Sequence, residues 1–137
     1  MPGVDHRWRC WKAGGHGHMD LHDAIAESCD TYFYDLAYEI EIEAMHEFLG
    51  RFGFGSPTGV DLPGERGGLV PSKDWKRETR GEPWYHGETI IAGIGQGYML
   101  ATPLQLAHAT ATLANRGRAV PLGCWPAHVP TTVKGCR

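Results

Sequence analysis

A series of helix signals between residues 20 and 52 constrains the fold of this chain more than any other feature. Asp20 is placed to cap a short helix over about 21–28, with Asp23 three residues later. Asp30 stands at the N-cap of a second helix, over about 31–40, and a third follows over about 45–52, ended by glycines. Each of the last two has an apolar stripe at helical spacing, formed by Phe33, Leu36, Ala37 and Ile40 and by Met45, Phe48, Leu49 and Phe52.

The second half of the chain has fewer such signals. Thr102 and Pro103 occupy the cap and first position of a last helix, whose predicted buried stripe consists of Leu106, Ala109, Thr110 and Leu113. Residues 56–88 are rich in turns, with a short strand predicted over 60–62 and a helical turn over 72–77. Alternating glycines after an apolar run predict a strand-like segment over 90–98.

Composition excludes several classes of function. A length of 137 residues allows one domain at most. The net charge of -3 offers no basic surface for nucleic acid. No stretch reaches the ~20 apolar residues that a membrane-spanning helix needs, and residues 1–5 lack the pattern of a secretory signal. We therefore expect neither a signal nor a transmembrane segment in this chain.

Ser28, Cys29 and Asp30 place a hydroxyl, a thiol and a carboxylate in consecutive positions before a helix. Ser and Asp in such positions commonly cap the free N–H groups of the helix. The catalytic alternative is that the Ser28 hydroxyl moves a proton while the residue two positions later binds a substrate amide. The residues alone leave both interpretations open.

Cys10, His16 and Cys29 are the candidate metal ligands. Thiolate and imidazole suit zinc, and a structural zinc site takes four ligands. Asp5, His18 and His22 are candidates for the fourth, but the spacing selects none of them. The alternatives are a buried free thiol at Cys29 or a Cys10–Cys29 disulfide.

Four blocks of sequence, in a fixed order, resemble the transpeptidase domain of class B penicillin-binding proteins. They read SCDTYFY at 28–34, FGFG at 52–55, PTGVDLPGE at 57–65, and AGIGQGY at 92–98 with ATPLQ at 101–105. Further stretches narrow the resemblance to the penicillin-binding protein 2 group of that family: WRCWK at 8–12, GHG at 15–17, KDWK at 73–76 and PWY at 83–85. The resemblance covers about residues 5–118.

The resemblance implies an α+β fold, as a fragment of the serine β-lactamase/penicillin-binding transpeptidase-like fold that contains mainly its helical region with short strands. It implies D,D-transpeptidation of peptidoglycan in cell-wall elongation, in which a serine of an S-x-x-K motif is acylated. A second motif, S-x-N or S-x-D, aids proton transfer and binds substrate, and a third, K-T-G or K-S-G, lies on a strand. Ser28 and Asp30 match the second motif and are the predicted catalytic residues.

The same resemblance implies partners and a location for the full-length parent protein. The partners are the peptidoglycan stem peptide, β-lactams and membrane proteins of the elongation complex, with no nucleic acid. The location is the periplasmic face of the inner membrane. Some relatives also hold a structural metal with residues matching Cys10, His16 and Cys29, together with an upstream acidic residue, so zinc is the expected cofactor.

The chain departs from the family at two motifs. None of its serines is followed by lysine three positions later, and none of its lysines begins K-T-G or K-S-G. We therefore expect an internal fragment that is not itself acylated, with a partial transpeptidase domain at 1–118 and a non-homologous or frame-shifted tail at 119–137. The competing interpretation is a non-catalytic structural metal-binding or interaction module.

Overall fold

The computed structural model describes residues 7–123, which are mainly helical. The helices are α1 (Leu21–Ala26), α2 (Asp30–Gly50), α3 (Lys73–Arg80), α4 (His86–Gly93) and α5 (Pro103–Ala114). Within this described range, β-structure is limited to one isolated antiparallel bridge between Leu69 and Leu100. The described residues form two compact units, 7–45 with 71–98 and 46–70 with 99–123.

The first helix confirms the predicted cap. The Asp23 amide donates to Asp20 Oδ1 at 2.8 Å, and α1 ends at Ala26, two residues before the predicted end. Ala24 is fully buried, whereas Leu21 and Ile25 are exposed. A helix of this length makes few intrahelical hydrogen bonds, so its cap is a large part of what fixes it.

The predicted second and third helices are joined as α2, which is interrupted at Glu41 (φ 63°, ψ 160°) rather than by a loop. The predicted buried stripe of its first part is only partly right: Ala37 is buried, but Leu36 and Ile40 are exposed, and Tyr34, which is not part of the stripe, is buried. The cause is packing in the first unit. A Cβ placed on Gly93 of α4 would lie 2.3 Å from Ala37 Cβ, so the Ala37 face is the one that meets α4.

Helix α3 extends the predicted helical turn to eight residues, because Ser72 Oγ accepts from the Trp75 amide and Gly81 ends the helix in the left-handed region. Lys76 on this helix is only 1% exposed, and its Nζ lies 2.6 Å from Glu88 Oε1. Burial opposes the charge of Lys76, but the hydrogen bond and the charge of Glu88 outweigh it and raise the pKa of Lys76.

The strand-like segment predicted over 90–98 is wrong, because residues 86–93 form α4. Glu88 begins this helix: its Oε2 accepts from the Tyr85 amide at 2.8 Å, while the Glu88 amide donates to the Tyr85 carbonyl. The alternating glycines follow the helix instead, and Gly95 and Gly97 form turns at φ 74° and 72°. The start signal at Glu88 therefore overrides the local apolar pattern.

The second unit contains two further corrections. The strand predicted over 60–62 does not form, because Glu65 folds the chain back by accepting from the amides of Thr58 and Gly59 at 2.8 and 3.0 Å. In α5 the Thr102 cap is confirmed, with Oγ1 accepting from the Gln105 amide. The predicted buried stripe is only partly right, since Leu106 and Leu113 are exposed and the buried residues are Gln105, Ala109 and Thr112.

Gln105 organises the loops of this second unit. Its side chain is fully buried, and Nε2 donates to the carbonyls of Gly53, Ser56 and Gly67 at 3.3, 2.7 and 2.6 Å. Its Oε1 accepts from the Thr102 amide at 2.9 Å. The side-chain amide of Gln105 thus provides hydrogen bonds to backbone groups that are not paired in a sheet.

None of the helices within residues 7–123 has the length and apolar composition needed to cross a membrane. Residues 119–123, at the start of the predicted tail, have no regular secondary structure. Asp5, near the start of the chain, and residues 124–137 of the predicted tail lie outside the described residues. The domain boundary at residue 118 therefore stays a prediction.

Candidate active site and thiol cluster

The three predicted motif residues lie at the junction of α1 and α2. The Ser28 amide donates to the Ile25 carbonyl at 3.3 Å, and the Cys29 amide donates to the Ala24 carbonyl at 2.9 Å. Ser28 has φ 53° and an exposed side chain, Cys29 is 3% exposed, and Asp30 is half-buried. The junction therefore directs the thiol into the first unit and leaves the Ser28 hydroxyl accessible.

Trp11 fixes this junction from the preceding segment. Its indole Nε1 donates to the carbonyls of Ser28 and Glu27 at 2.9 and 3.2 Å, and its backbone amide donates to Asp30 Oδ2 at 3.0 Å. Sequence reasoning missed this role. The only signal was a tryptophan beside Cys10, and nothing local indicates a partner 17 residues away.

The structure brings the three candidate metal ligands together. The sulfurs of Cys10 and Cys29 and a ring nitrogen of His16 all lie within 4.8 Å of one another. Cys10 Sγ is 3.4 Å from His16 Nδ1, and the edge of the Trp11 indole lies against the His16 ring with centroids 5.5 Å apart. His16 Nε2 is buried and has no hydrogen-bond partner in the described part of the chain.

The separation of the Cys10 and His16 donor atoms fits a tetrahedral zinc site. Zn–S and Zn–N bonds of about 2.3 and 2.1 Å at a tetrahedral angle separate the two ligand atoms by about 3.6 Å, close to the Cys10–His16 separation. The chemistry at Cys29 also fits, since zinc binds thiolate. The Thr31 hydroxyl, 3.3 Å from Cys29 Sγ, lowers the pKa of the thiol, outweighing its burial, with smaller contributions from the Tyr32 amide and Cys10.

The other fourth-ligand candidates are not part of this cluster. His18 is exposed, and His22 belongs to a separate exposed group with Asp20 and Asp23. That second group is explained by its structural role, because Asp20 caps α1 through the Asp23 amide. Within residues 7–123, the cluster thus offers three protein ligands.

Comparison with known proteins gives the context of this site. The family profile for the penicillin binding protein transpeptidase domain matches residues 2–127. The chain belongs to this family. The chain is also 54% identical, over 117 residues, to the peptidoglycan D,D-transpeptidase MrdA of Acinetobacter baumannii, and 45% identical to that of Escherichia coli K12 over the same length.

Solved structures agree with the family. A crystal structure of Pseudomonas aeruginosa PBP2 in complex with WCK 5153 is 52% identical and superposes with a TM-score of 0.87 over 90% of the chain. PBP2 of Helicobacter pylori, in its complex with MreC, is 43% identical with a TM-score of 0.84. These superpositions confirm the expected fragment of the transpeptidase fold and the resemblance to the penicillin-binding protein 2 group.

The chain spans only part of these relatives. It covers 17% of the Acinetobacter baumannii protein and 27% of the Pseudomonas aeruginosa structure. Most of each relative therefore has no counterpart in the 137 residues. The activity of a whole transpeptidase is a proposal for this chain, not an observation.

Proposed function

We propose that the chain is part of a peptidoglycan D,D-transpeptidase of cell-wall elongation and supplies the second motif of its active site. The observation that carries this proposal is the family match over residues 2–127 together with the position of Ser28 and Asp30 at the α1–α2 junction. In this role the exposed Ser28 hydroxyl transfers a proton during acylation, and Asp30 contributes to binding the stem peptide. Trp11 positions both residues through the bonds described above.

The isolated chain provides the first test. Because no S-x-x-K serine is present in the 137 residues, incubation with a fluorescent penicillin should leave no covalent label on a denaturing gel. The intact Acinetobacter baumannii relative is the positive control. A labelled band at the mass of the chain would show that one of its own residues acts as nucleophile and would refute the proposal that the chain supplies only a supporting motif.

The catalytic roles need a complete active site, which a chimera supplies. Residues 7–118 replace the aligned segment of the Acinetobacter baumannii protein, and the rate of acylation by labelled penicillin is measured. Loss of a positioned proton-transfer group typically costs about 10²–10⁴-fold, so Ser28→Ala should reduce the rate by at least tenfold. Asp30→Asn should weaken acylation less, since it keeps an acceptor for the Trp11 amide.

A matched control is available on the same element. His22→Ala alters an exposed α1 residue whose side chain is 90% exposed, and it should leave acylation unchanged. If Ser28→Ala and Asp30→Asn acylate as fast as the unmodified chimera, the second-motif assignment is refuted.

We also propose that Cys10, His16 and Cys29 hold a structural zinc ion, a role that would stand even without catalysis. The packing of two thiols and an imidazole at zinc-ligand separations favours it. Zinc would supply a crosslink between the glycine-rich segment before α1 and the α1–α2 junction, and so keep Ser28 and Asp30 in place. A fourth ligand then comes from outside residues 7–123 or from solvent.

Metal analysis of the purified chain tests the zinc proposal. The unmodified chain should bind close to one zinc per molecule, and Cys29→Ala should lose most of it. Cys124→Ala, which alters a cysteine that is not one of the three proposed ligands, is the matched control and should retain the metal. Equal zinc content in all three proteins would remove the proposal.

The complexes formed by two relatives support a proposal about the partners and location of the parent. A Helicobacter pylori relative forms a complex with MreC, and another related structure belongs to a peptidoglycan synthase complex. We propose that the parent of this chain likewise works with membrane proteins of the elongation machinery, at the periplasmic face of the inner membrane. Co-purification of the full-length parent with an MreC homologue tests this, with a transpeptidase of another family as control.

A further inference from the structure

Cys10 and Cys29 form a pair of free thiols whose geometry suits a second chemistry besides metal binding. Both are free cysteines, and their sulfurs lie within 4.8 Å of each other. A disulfide bond is about 2.05 Å long, so the sulfurs need to approach by less than about 3 Å. We propose that Cys10 and Cys29 are a redox-active dithiol that closes to a disulfide, and that this disulfide and a bound metal exclude each other.

The two cysteines differ in how freely they can move. Cys29 is fixed at the helix junction, where its amide bonds the Ala24 carbonyl and its carbonyl accepts from Phe33. Cys10 lies in a segment without regular structure, followed by Gly15 and Gly17, which have positive φ and open space around them. Closure therefore requires movement of Cys10 toward Cys29.

Trp11 holds the segment of Cys10 close to the helix junction that carries Cys29. It follows Cys10 directly, and its three hydrogen bonds end on Glu27, Ser28 and Asp30, the neighbours of Cys29. These bonds therefore contribute to the short distance between the two thiols. This preorganisation is what makes intramolecular disulfide formation outrun reaction with a second external molecule.

The oxidant is a low-molecular-weight disulfide, for example oxidised glutathione. Cys10 is half-buried and Cys29 is 3% exposed, so the Cys10 thiolate attacks first. A Cys10–glutathione bond forms, the glutathione disulfide breaks, and one glutathione thiolate leaves. The Cys29 thiolate then attacks the Cys10 sulfur, which forms the Cys10–Cys29 bond and releases the second glutathione; the protein loses two electrons and two protons.

The disulfide removes both sulfur ligands at once. Zinc binds the thiolate form of cysteine, and a disulfide sulfur is not an equivalent ligand. Conversely, a zinc ion bound to both sulfurs shields them from the external disulfide. The exclusion of metal rests on the proposed zinc site, whereas disulfide closure itself does not.

Peptide mapping tests closure directly. The reduced, chelator-treated chain is incubated with oxidised glutathione, its remaining thiols are alkylated, and it is digested with trypsin. Cleavage after Arg9, Lys12 and Arg51 places Cys10 in residues 10–12 and Cys29 in residues 13–51. A crosslinked product of these two peptides is expected as the main oxidised form of both cysteines.

Matched variants separate closure from general thiol oxidation. Cys10→Ser should slow the loss of the Cys29 thiol at least tenfold, and Cys124→Ser should leave the yield of the 10–12/13–51 crosslink unchanged. The proposal is overturned if Cys10 and Cys29 are found joined only to glutathione, or to Cys124 or Cys136.

A second arm tests the exclusion. The chain loaded with zinc alone should form the crosslink at least tenfold more slowly than the metal-free chain, and oxidation should release zinc to a colorimetric chelator in step with the crosslink. Equal rates with and without added zinc would refute the exclusion of metal by disulfide. Because the first arm uses metal-free protein, failure of the proposed zinc site leaves its result on closure intact.

Discussion

Replacing Gln105 by glutamate should destabilise the second unit more than any surface change in the chain. The substitution keeps the size of the side chain and the acceptor that caps α5 at the Thr102 amide. It replaces the Nε2 donor by an oxygen at the point where the carbonyls of Ser56 and Gly67 lie 2.7 and 2.6 Å away. The site is fully buried, so water cannot take the place of the lost donor.

The magnitude follows from those contacts. Each buried carbonyl left without its donor costs about 1–3 kcal/mol, and two such carbonyls give about 4 kcal/mol before any repulsion from the new charge. Domains of this size unfold with a total of about 5–15 kcal/mol. At roughly 4 °C per kcal/mol, Gln105→Glu should lower the melting temperature by about 15 °C.

The assay is thermal and urea unfolding followed by circular dichroism at two pH values. Above its folded-state pKa the introduced carboxyl is charged and the full loss applies. Burial raises that pKa, so the destabilisation should shrink as pH falls toward the unfolded value of about 4.3, where the protonated group again donates. The control is Leu106→Gln, at a 54% exposed position of the same helix, which should change stability little. A melting temperature at pH 7 equal to that of the unmodified chain would refute the role assigned to Gln105.

Three further outcomes are expected. The Thr58 hydroxyl and nearby amides lower the pKa of Glu65. The stabilisation from Glu65 is therefore present above its unfolded pKa and is lost as pH falls through the lowered folded pKa. Glu65→Gln should reduce the urea midpoint at pH 7, and the midpoints of the two proteins should converge in acid. Gly93→Ala should cost about 1–3 kcal/mol in urea unfolding through its clash with Ala37, and Ala37→Gly in the same chain should restore part of it; independent effects of the two changes would contradict the contact. Trp11→Phe removes the indole donor to Ser28, so zinc affinity should fall about tenfold in a competition titration. The control is Trp75→Phe, because the Trp75 ring packs on Tyr98, and its zinc affinity should not change.

Local signals predicted what local interactions determine. The Asp20 and Thr102 caps, the last helix and the helical character of residues 31–40 and 45–50 were predicted correctly, because each depends on neighbours within four positions. The buried faces of α2 and α5 were predicted only in part. Ala37 and Ala109 are buried as expected, but the rest of each face depends on residues far apart in sequence, as in the bonds of Gln105 to three loop carbonyls. The prediction of a strand-like segment over 90–98 was wrong for a different, local reason, because the helix start at Glu88 outweighed the glycine pattern.

The candidate site divides in the same way. The residue types and spacing of Cys10, His16 and Cys29 suggested a shared metal ion, and the structure brings their donor atoms together. The placement of Ser28 and Asp30 at a helix junction was also predicted. The contribution of Trp11 was not, because a tryptophan has no sequence signal that names a carbonyl on another segment.

The backbone conformation of Ser28 lowers the stability of the folded chain at the same position that supplies the proposed catalytic hydroxyl. A serine at φ 53° is in the left-handed region, which costs a residue with a Cβ about 1–2 kcal/mol and costs glycine almost nothing. Ser28→Gly should therefore make the chain at least as stable in urea unfolding while removing the hydroxyl. Ser28→Gly therefore separates the backbone strain of this position from the contribution of its hydroxyl.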